Sequence, residues 1–266
     1  MISNNSPIGF FDSGIGGTSI WKEVIKLLPH ENTIYLSDSK NAPYGGKSAK
    51  EIITLSKKKK DFLLKENCKL IIVACNTATT NAISFLRATY HIPIIGIEPA
   101  IKPASLITKT NNIGVLATKG TLNSALFEKT AHPIRKNIRI QETHGEGLVP
   151  LIEAGKLNSE ETSALLSLYL GPMLANNIDS LVLGCTHYPY LIPQIREIIG
   201  PDIKIIDSGE AVAKQTKAIL LKHQILNIEE KHTANHRIYI NTKKNALTAL
   251  LKDIPSRHLK IIEQNF

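Results

Sequence analysis

The stretch Leu70-Ile71-Ile72-Val73-Ala74-Cys75-Asn76-Thr77 has a counterpart in Leu181-Val182-Leu183-Gly184-Cys185-Thr186-His187. Each opens as a short unbroken apolar run and ends on a cysteine followed by polar residues. Such a run suits a strand buried on both faces, as in a parallel sheet, better than a half-exposed strand, which alternates. Outward from these two stretches the apolar runs continue to match in pairs. Ile8-Gly9-Phe10-Phe11 corresponds to Ile113-Gly114-Val115-Leu116, and Ile34-Tyr35-Leu36 to Ile138-Arg139-Ile140. Ile94-Ile95-Gly96-Ile97 corresponds to Ile203-Lys204-Ile205-Ile206. The spacing between partners stays near about 105 to 110 residues, and a single repeat of that length means two similar domains rather than a solenoid.

Helix-like stretches fill the gaps, at 18–28, 48–67, 77–90, 159–176 and 209–224. Strands alternating with helices build βαβ units. The expected fold is α/β, with two pseudo-symmetric doubly wound parallel-sheet domains and the active site in the cleft between them. Arg237-Ile238-Tyr239-Ile240 and Leu259-Lys260-Ile261-Ile262 have no earlier counterpart. The tail is therefore expected to return to the first domain, giving a discontinuous unit of 1–98 and 208–266 and a second unit of 99–207.

The chain has 266 residues, and its 42% hydrophobic content excludes a disordered chain, which lacks the apolar surface to offset ordering entropy. No apolar run approaches the ~20 residues of a membrane span, so no membrane partner is expected. Three cysteines exclude a disulfide scaffold, and with no secretory signal at the N-terminus they point to the reducing cytoplasm. The net charge of +9 attracts anions, but 5% aromatic residues offer little base-stacking surface, and no nucleic-acid partner is expected. Lys57-Lys58-Lys59-Lys60 reads as the solvated face of a helix whose apolar stripe is Ile52, Leu55 and Phe62.

In a doubly wound fold, ligands bind beyond the carboxyl ends of the strands. That edge carries Asp12, Ser13, Asp38, Cys75, Asn76, Thr77, Thr118, Cys185, Thr186 and His187. A lone cysteine at a strand end is usually a small buried hydrophobe. Two at equivalent positions, each before a helix start that favours a thiolate, suit a two-base pair. One thiolate removes a proton from one face of a carbon, and the other thiol returns a proton to the opposite face. His187 stands two residues after Cys185 and suits a proton partner. Asp12 suits a substrate ammonium, the Cys75 thiol or a simple turn. Cys68 has no activating neighbour in sequence and reads as incidental.

Three motifs read as decoys. Gly14-Ile15-Gly16-Gly17-Thr18-Ser19 lacks the third glycine of a dinucleotide loop, and Gly45-Gly46-Lys47-Ser48 lacks the first glycine of a P-loop. Both loops retain backbone N–H groups able to hold a carboxylate. His232-Thr233-Ala234-Asn235-His236 has metal-like spacing but no cysteine partner nearby, and no metal site is expected.

The segments 11–17, Asp38-Ser39 with Pro43-Tyr44-Gly45, 73–78, 146–153 and 183–189 resemble, in order, those of bacterial glutamate racemases within the aspartate/glutamate racemase superfamily. The resemblance runs from residue 10 to about residue 208. Thr79-Thr80 and Tyr190 depart from the pattern but only flank the motifs. The resemblance implies an isomerase that interconverts L- and D-glutamate without pyridoxal phosphate or metal and supplies D-glutamate for peptidoglycan. It implies that Cys75 serves the D-enantiomer and Cys185 the L-enantiomer, assisted by Asp12, Glu153 and His187. Substrate contacts are expected from Asp12, Ser13, Tyr44, Gly45, Asn76, Thr77, Thr118, Thr186 and His187. A homodimer is also implied. Asp12 comes too early for a long N-terminal extension, which weighs against dependence on a cell-wall-precursor activator.

The α-proton is so weakly acidic that the site must stabilise a developing carbanion through hydrogen bonds to the α-carboxylate. Ser13, Asn76, Thr77 and Thr186 are suitable donors, and cleft closure on substrate would strengthen their bonds by excluding water. The rival readings are a binding module without chemistry and an aspartate racemase. The latter substrate is one methylene shorter, a difference worth only ~1–3 kcal/mol in a pocket.

Overall fold

A computed structural model describes residues 3–229 and 232–266. Met1 and Ile2, where the N-terminal reading begins, lie outside them. In chain order the strands are β1 (Ile8–Asp12), β2 (Thr33–Ser37), β3 (Leu70–Val73), β4 (Ile94–Gly96), β5 (Asn112–Ala117), β6 (Arg139–His144), β7 (Ser180–Gly184), β8 (Lys204–Ile206), β9 (His236–Ile240) and β10 (Leu259–Glu263). They form a six-stranded sheet, β10-β9-β2-β1-β3-β4, and a four-stranded sheet, β6-β5-β7-β8. Every pairing is parallel. The order β2-β1-β3-β4 in one sheet is repeated as β6-β5-β7-β8 in the other, so the sequence repeat is a repeat of topology. The tail strands β9 and β10 extend the first sheet at its β2 edge.

Burial on both faces explains the unbroken apolar runs. In β1, Ile8 and Phe10 enter a core with Trp21 and Val24, while Phe11 enters another with Ile52 and Leu63. The first of these cores continues into the second sheet through Leu116, Leu181 and Leu183. The edge strands β6, β8 and β10 are only partly buried, and β6 departs furthest from its expected bounds. It begins one residue later than expected and runs on to His144, because as an edge strand it is only half-buried and its RIQETH sequence carries little apolar signal.

Three of the five main helices begin at a side-chain cap. The five are α1 (Thr18–Leu27), α2 (Ala49–Lys65) and α3 (Asn76–Thr89), followed later by helices at Glu160–Ala175 and Gly209–Lys222. Ser48 lies just outside α2 and forms a capping box, taking the Glu51 N–H at 3.3 Å while Glu51 takes the Ser48 N–H at 2.9 Å. Ser159 caps its helix by accepting the Thr162 N–H at 3.2 Å. The repeat extends to helix ends: Asn67 and Asn177 hold left-handed conformations, with φ of 56° and 57°, where the chain turns into β3 and β7. Asparagine tolerates that conformation better than most residues with a β-carbon.

One expectation is overturned. Lys57 and Lys58 are exposed, but Lys59 and Lys60 are buried. Lys59 meets Asp38 at 3.0 Å and Lys60 meets Asp61 at 2.9 Å. Long lysine stems can lie along apolar surface, and here carboxylates receive their ammonium ends. Among the described residues, no helix is long and apolar enough to cross a membrane.

Candidate active site

The strand order reverses between β1 and β3, and again between β5 and β7. Helices following such neighbours pass to opposite faces of the sheet and leave a crevice at the switch point. In the first sheet, α1 packs on the Gly209–Lys222 helix while α3 packs on α2. Asp12 ends β1, Cys75 follows β3, Thr118 follows β5 and Cys185 follows β7. The two crevices meet in one cavity with about 260 Å³ of atom-free space.

Ten of the residues anticipated for the site line that cavity. From the first sheet come Ser13, Tyr44, Gly45, Cys75, Asn76 and Thr77, and from the second come Thr118, Cys185, Thr186 and His187. Asp12 and Glu153 are not on its wall. Asp12 lies behind Ser13, and Glu153 lies behind His187.

Cys75 is the N-cap of α3. Its sulfur receives the Ala78 N–H at 3.4 Å, and its thiol points to Ser13 Oγ at 3.5 Å. Burial pushes the Cys75 thiol well above its ordinary pKa, and the nearby Asp12 charge adds to the shift. Asp12 is itself pushed up by burial, although His187 and the Gly17 N–H work the other way. Its two oxygens take the Ser13 N–H at 2.7 Å and the Gly17 N–H at 2.6 Å.

Cys185 has a different neighbour. Its sulfur lies 3.8 Å from His187 Nδ1, and His187 Nε2 lies 2.6 Å from Glu153 Oε1. Burial alone would lower the His187 pKa, but its bonds to Cys185 and Glu153 prevail and hold it well above the ordinary value. Burial opposes ionisation of Glu153 too, yet His187, Ser39 and the Ile15 N–H hold it below the usual range. The two thiols thus differ in surroundings, one beside a carboxylate and the other beside an imidazole.

The glycine loop is no dinucleotide site. Its Ile15 and Gly17 N–H groups already hold carboxylates of this chain, Glu153 and Asp12. Gly14 and Gly16 allow the close approach: a β-carbon on Gly14 would lie 1.9 Å from Glu153 Oε1, and one on Gly16 would lie 2.2 Å from His187 Nδ1. At the histidine decoy, His236 bonds Thr33 Oγ1 at 2.9 Å and packs edge-on to Trp21, and burial pulls its pKa down to about 4. Burial pushes the Cys68 thiol up to about 12.

Several contributors escaped the sequence reading. Ser39 Oγ donates to Glu153 Oε2 at 2.7 Å. Thr121 joins Thr77 and Thr118 in a hydroxyl cluster that links the two sheets' loops, with Thr77 and Thr118 at 2.8 Å. Val149 and Pro43 complete the wall. Ser39, Pro43 and Val149 lie inside the motifs quoted above; nothing in the local sequence marks Thr121. Asn76 carries a further clue, because its Nδ2 is buried without a hydrogen-bond partner.

A cavity with a thiol from each half and spare hydrogen-bond donors has the groups that proton transfer at a carbon needs. A family described as Asp/Glu/Hydantoin racemase matches residues 18–216. The glutamate racemase of Herpetosiphon aurantiacus is 44% identical over 223 residues, covering 84% of this chain and 88% of that one. Glutamate racemase isoform RacE1 from Bacillus anthracis superposes with a TM-score of 0.85 at 29% identity, covering 99% of this chain and 98% of that one. Escherichia coli glutamate racemase, solved with L-glutamate and the activator UDP-MurNAc-Ala, gives 0.83 at 30% identity over 97% of each chain. The chain belongs to the Asp/Glu/hydantoin racemase family. It is an isomerase of the amino-acid racemase class.

Proposed function

We propose that the reaction proceeds by two-base proton transfer between Cys185 and Cys75, without a cofactor. The observation that carries this reading is the placement of both thiols, from equivalent positions after β3 and β7, on the wall of one cavity. With L-glutamate bound, the Cys185 thiolate takes the α-proton, and the electron pair of the C–H bond passes into the α-carboxylate. The Cys75 thiol then gives its proton to the opposite face of the carbon, releasing D-glutamate. The reverse reaction starts from the opposite protonation state. The raised pKa of Cys75 suits it to be the protonated partner when L-glutamate arrives.

The remaining groups serve the carbanion. Asn76 Nδ2, a buried donor without a partner, is suited to a substrate carboxylate. Ser13, Thr77, Thr118 and Thr186 offer hydroxyls on the same wall, with Tyr44 and Gly45 beside them. Donors in a water-poor site stabilise developing charge far better than the same donors in water. Glu153 orients His187, which shares a proton with Cys185; Asp12 keeps Cys75 protonated and holds Ser13. Among the described residues, no lysine lines the cavity to form the Schiff base that pyridoxal phosphate requires.

The reading extends to D-glutamate supply for peptidoglycan and to a cytoplasmic homodimer, where the three free thiols stay reduced. It assigns 1–98 and 208–266 to the first unit and 99–207 to the second, supported by strand membership. The test is incubation with L-glutamate in D2O with no added cofactor. Deuterium entering Cα together with inversion is the expected result. Exchange without inversion would leave only one thiol at work. Glutamate binding with neither signal would favour a binding module.

A further inference from the structure

The lysine run in α2 contains a buried charge that the proposed chemistry leaves unused. Lys59 is 1% exposed, and its ammonium lies 3.0 Å from Asp38 Oδ2, on a carboxylate that is itself fully buried. The same oxygen accepts the Tyr44 hydroxyl at 2.6 Å. Asp38 Oδ1 accepts from Asn41 at 2.9 Å and from Asn241, beyond the tail strand β9, at 2.6 Å. The Asp38 backbone N–H donates to Asp12 O at 3.1 Å. The Phe266 ring lies 5.0 Å from the ammonium.

These contacts leave the carboxylate fully engaged by four donors from three segments. One of them, Tyr44, is a wall of the cavity. Because its proton is committed to Asp38, Tyr44 presents its ring and backbone to the cavity rather than a hydroxyl donor. Next to it, Gly45 packs on the opposite half, where a β-carbon would come within 3.3 Å of Thr118 Cβ. An ionised acceptor holds a phenol more tightly than a neutral one. Among the four donors only Lys59 brings a basic nitrogen, 3.0 Å from the oxygen that Tyr44 also bonds.

We infer that Lys59, acting through Asp38, is a positioning residue that fixes Tyr44 and the Tyr44–Gly45 backbone as the substrate-binding wall. The inference rests on the proposed glutamate site and adds a determinant of its affinity. Lys59 and Asp38 do not line the cavity, so their effect falls on binding rather than on proton transfer.

The test is a double-mutant cycle on the full chain with Lys59→Met, Tyr44→Phe and the pair. Lys59→Met is expected to raise KM about tenfold for both enantiomers, as loss of a charge-assisted contact does, with kcat held within about twofold. The calorimetric Kd for D-glutamate rises in step. In the Tyr44→Phe background, Lys59→Met adds no further rise, because the link is already cut. An unchanged KM in Lys59→Met overturns the inference. So does a rise that multiplies with that of Tyr44→Phe, or a fall in kcat with KM intact. If Lys59→Met does not fold, Tyr44→Phe alone decides, since an unchanged KM there removes the link. Wild-type racemisation in the same assay separates this result from failure of the proposed reaction, and the calorimetric comparison reads the Tyr44 wall in either case.

Discussion

Glu153 Oε1 lies 2.6 Å from His187 Nε2, on the side of the imidazole away from Cys185. The same carboxylate holds the Ile15 N–H at 2.7 Å and Ser39 Oγ at 2.7 Å. One side chain of the second half therefore joins a histidine of the cavity wall to two loops of the first. The arrangement follows the logic of a nucleophile–base–orienting-group triad, applied to proton transfer at carbon.

Neutralising that carboxylate should damage both catalysis and acid stability. Glu153→Gln is expected to lower kcat/KM by roughly 10²-fold, the scale of a disturbed general acid–base group. The loss must be equal in both directions, because enantiomers have equal free energy. The folded pKa of Glu153 lies below its ordinary 4.5, so its stabilising contribution is present above that pH and fades as pH falls through the folded value. That of His187 lies above 6.5, so its contribution is present below 6.5 and fades as pH rises through the folded value. The pair thus stabilises most between these limits. Urea unfolding from about pH 3 to pH 8 should show a flattened acid limb in Glu153→Gln; an acid limb identical to wild type would count against the pair.

The glycine loop offers a steric test with a built-in control. Gly16→Ala would place a β-carbon 2.2 Å from His187 Nδ1, so the ring must move. A loss of ~10²-fold or more in kcat/KM is expected, since small misplacements of reacting groups cost that much. Gly46→Ala meets nothing within 4 Å and should retain activity. Equal activity in the two variants would show that the His187 position does not matter.

Cys68 and Cys75 should both resist iodoacetamide, for different reasons. Burial keeps Cys68 near a pKa of about 12, and it should stay unlabelled in the folded protein at neutral pH. Burial, reinforced by Asp12, keeps Cys75 protonated, so its labelling should be slow and rise with pH. Asp12→Asn removes the neighbouring charge and should accelerate it. Peptide mapping by mass spectrometry reads all three sites; Cys75 labelling unaffected by Asp12→Asn would remove the proposed coupling.

Serine substitutions should separate the two proton transfers. In Cys75→Ser, the slow step is expected at the substituted side chain. Glutamate deuterated at Cα should then show a large primary isotope effect from the D-enantiomer, whose proton the introduced hydroxyl must remove, and a small one from the L-enantiomer. Cys185→Ser should reverse the pattern. Each variant should lose ~10²-fold or more in kcat/KM, because a hydroxyl is a far weaker acid than a thiol. Isotope effects of equal size from both enantiomers in both variants would refute the assignment of faces.

Much of the architecture is legible from local patterns. The runs at 70–74 and 181–184 are apolar throughout because their strands are covered on both faces, and their spacing reveals the repeat. The cysteines stand out because each ends such a run. Lys59 shows where that kind of reading stops. A lysine run has the same local appearance whether its ammonium groups meet water or a carboxylate, and Asp38 is far from Lys59 along the chain. Thr121 is similarly unmarked, since its partner Thr77 comes from the other half.

The sequence by itself determined the two-fold α/β repeat, the return of the tail as β-strands and the paired thiols at strand ends. These follow from periodicity and burial, which act over a few neighbouring residues. Only the tertiary structure decided that Cys75 faces Asp12 and Ser13 whereas Cys185 faces His187 and Glu153. It also decided that the glycine loop spends its N–H groups on Glu153 and Asp12. Those pairings join residues distant in sequence, and the electrostatics of a buried group depend on which charges the whole fold brings within a few ångströms of it.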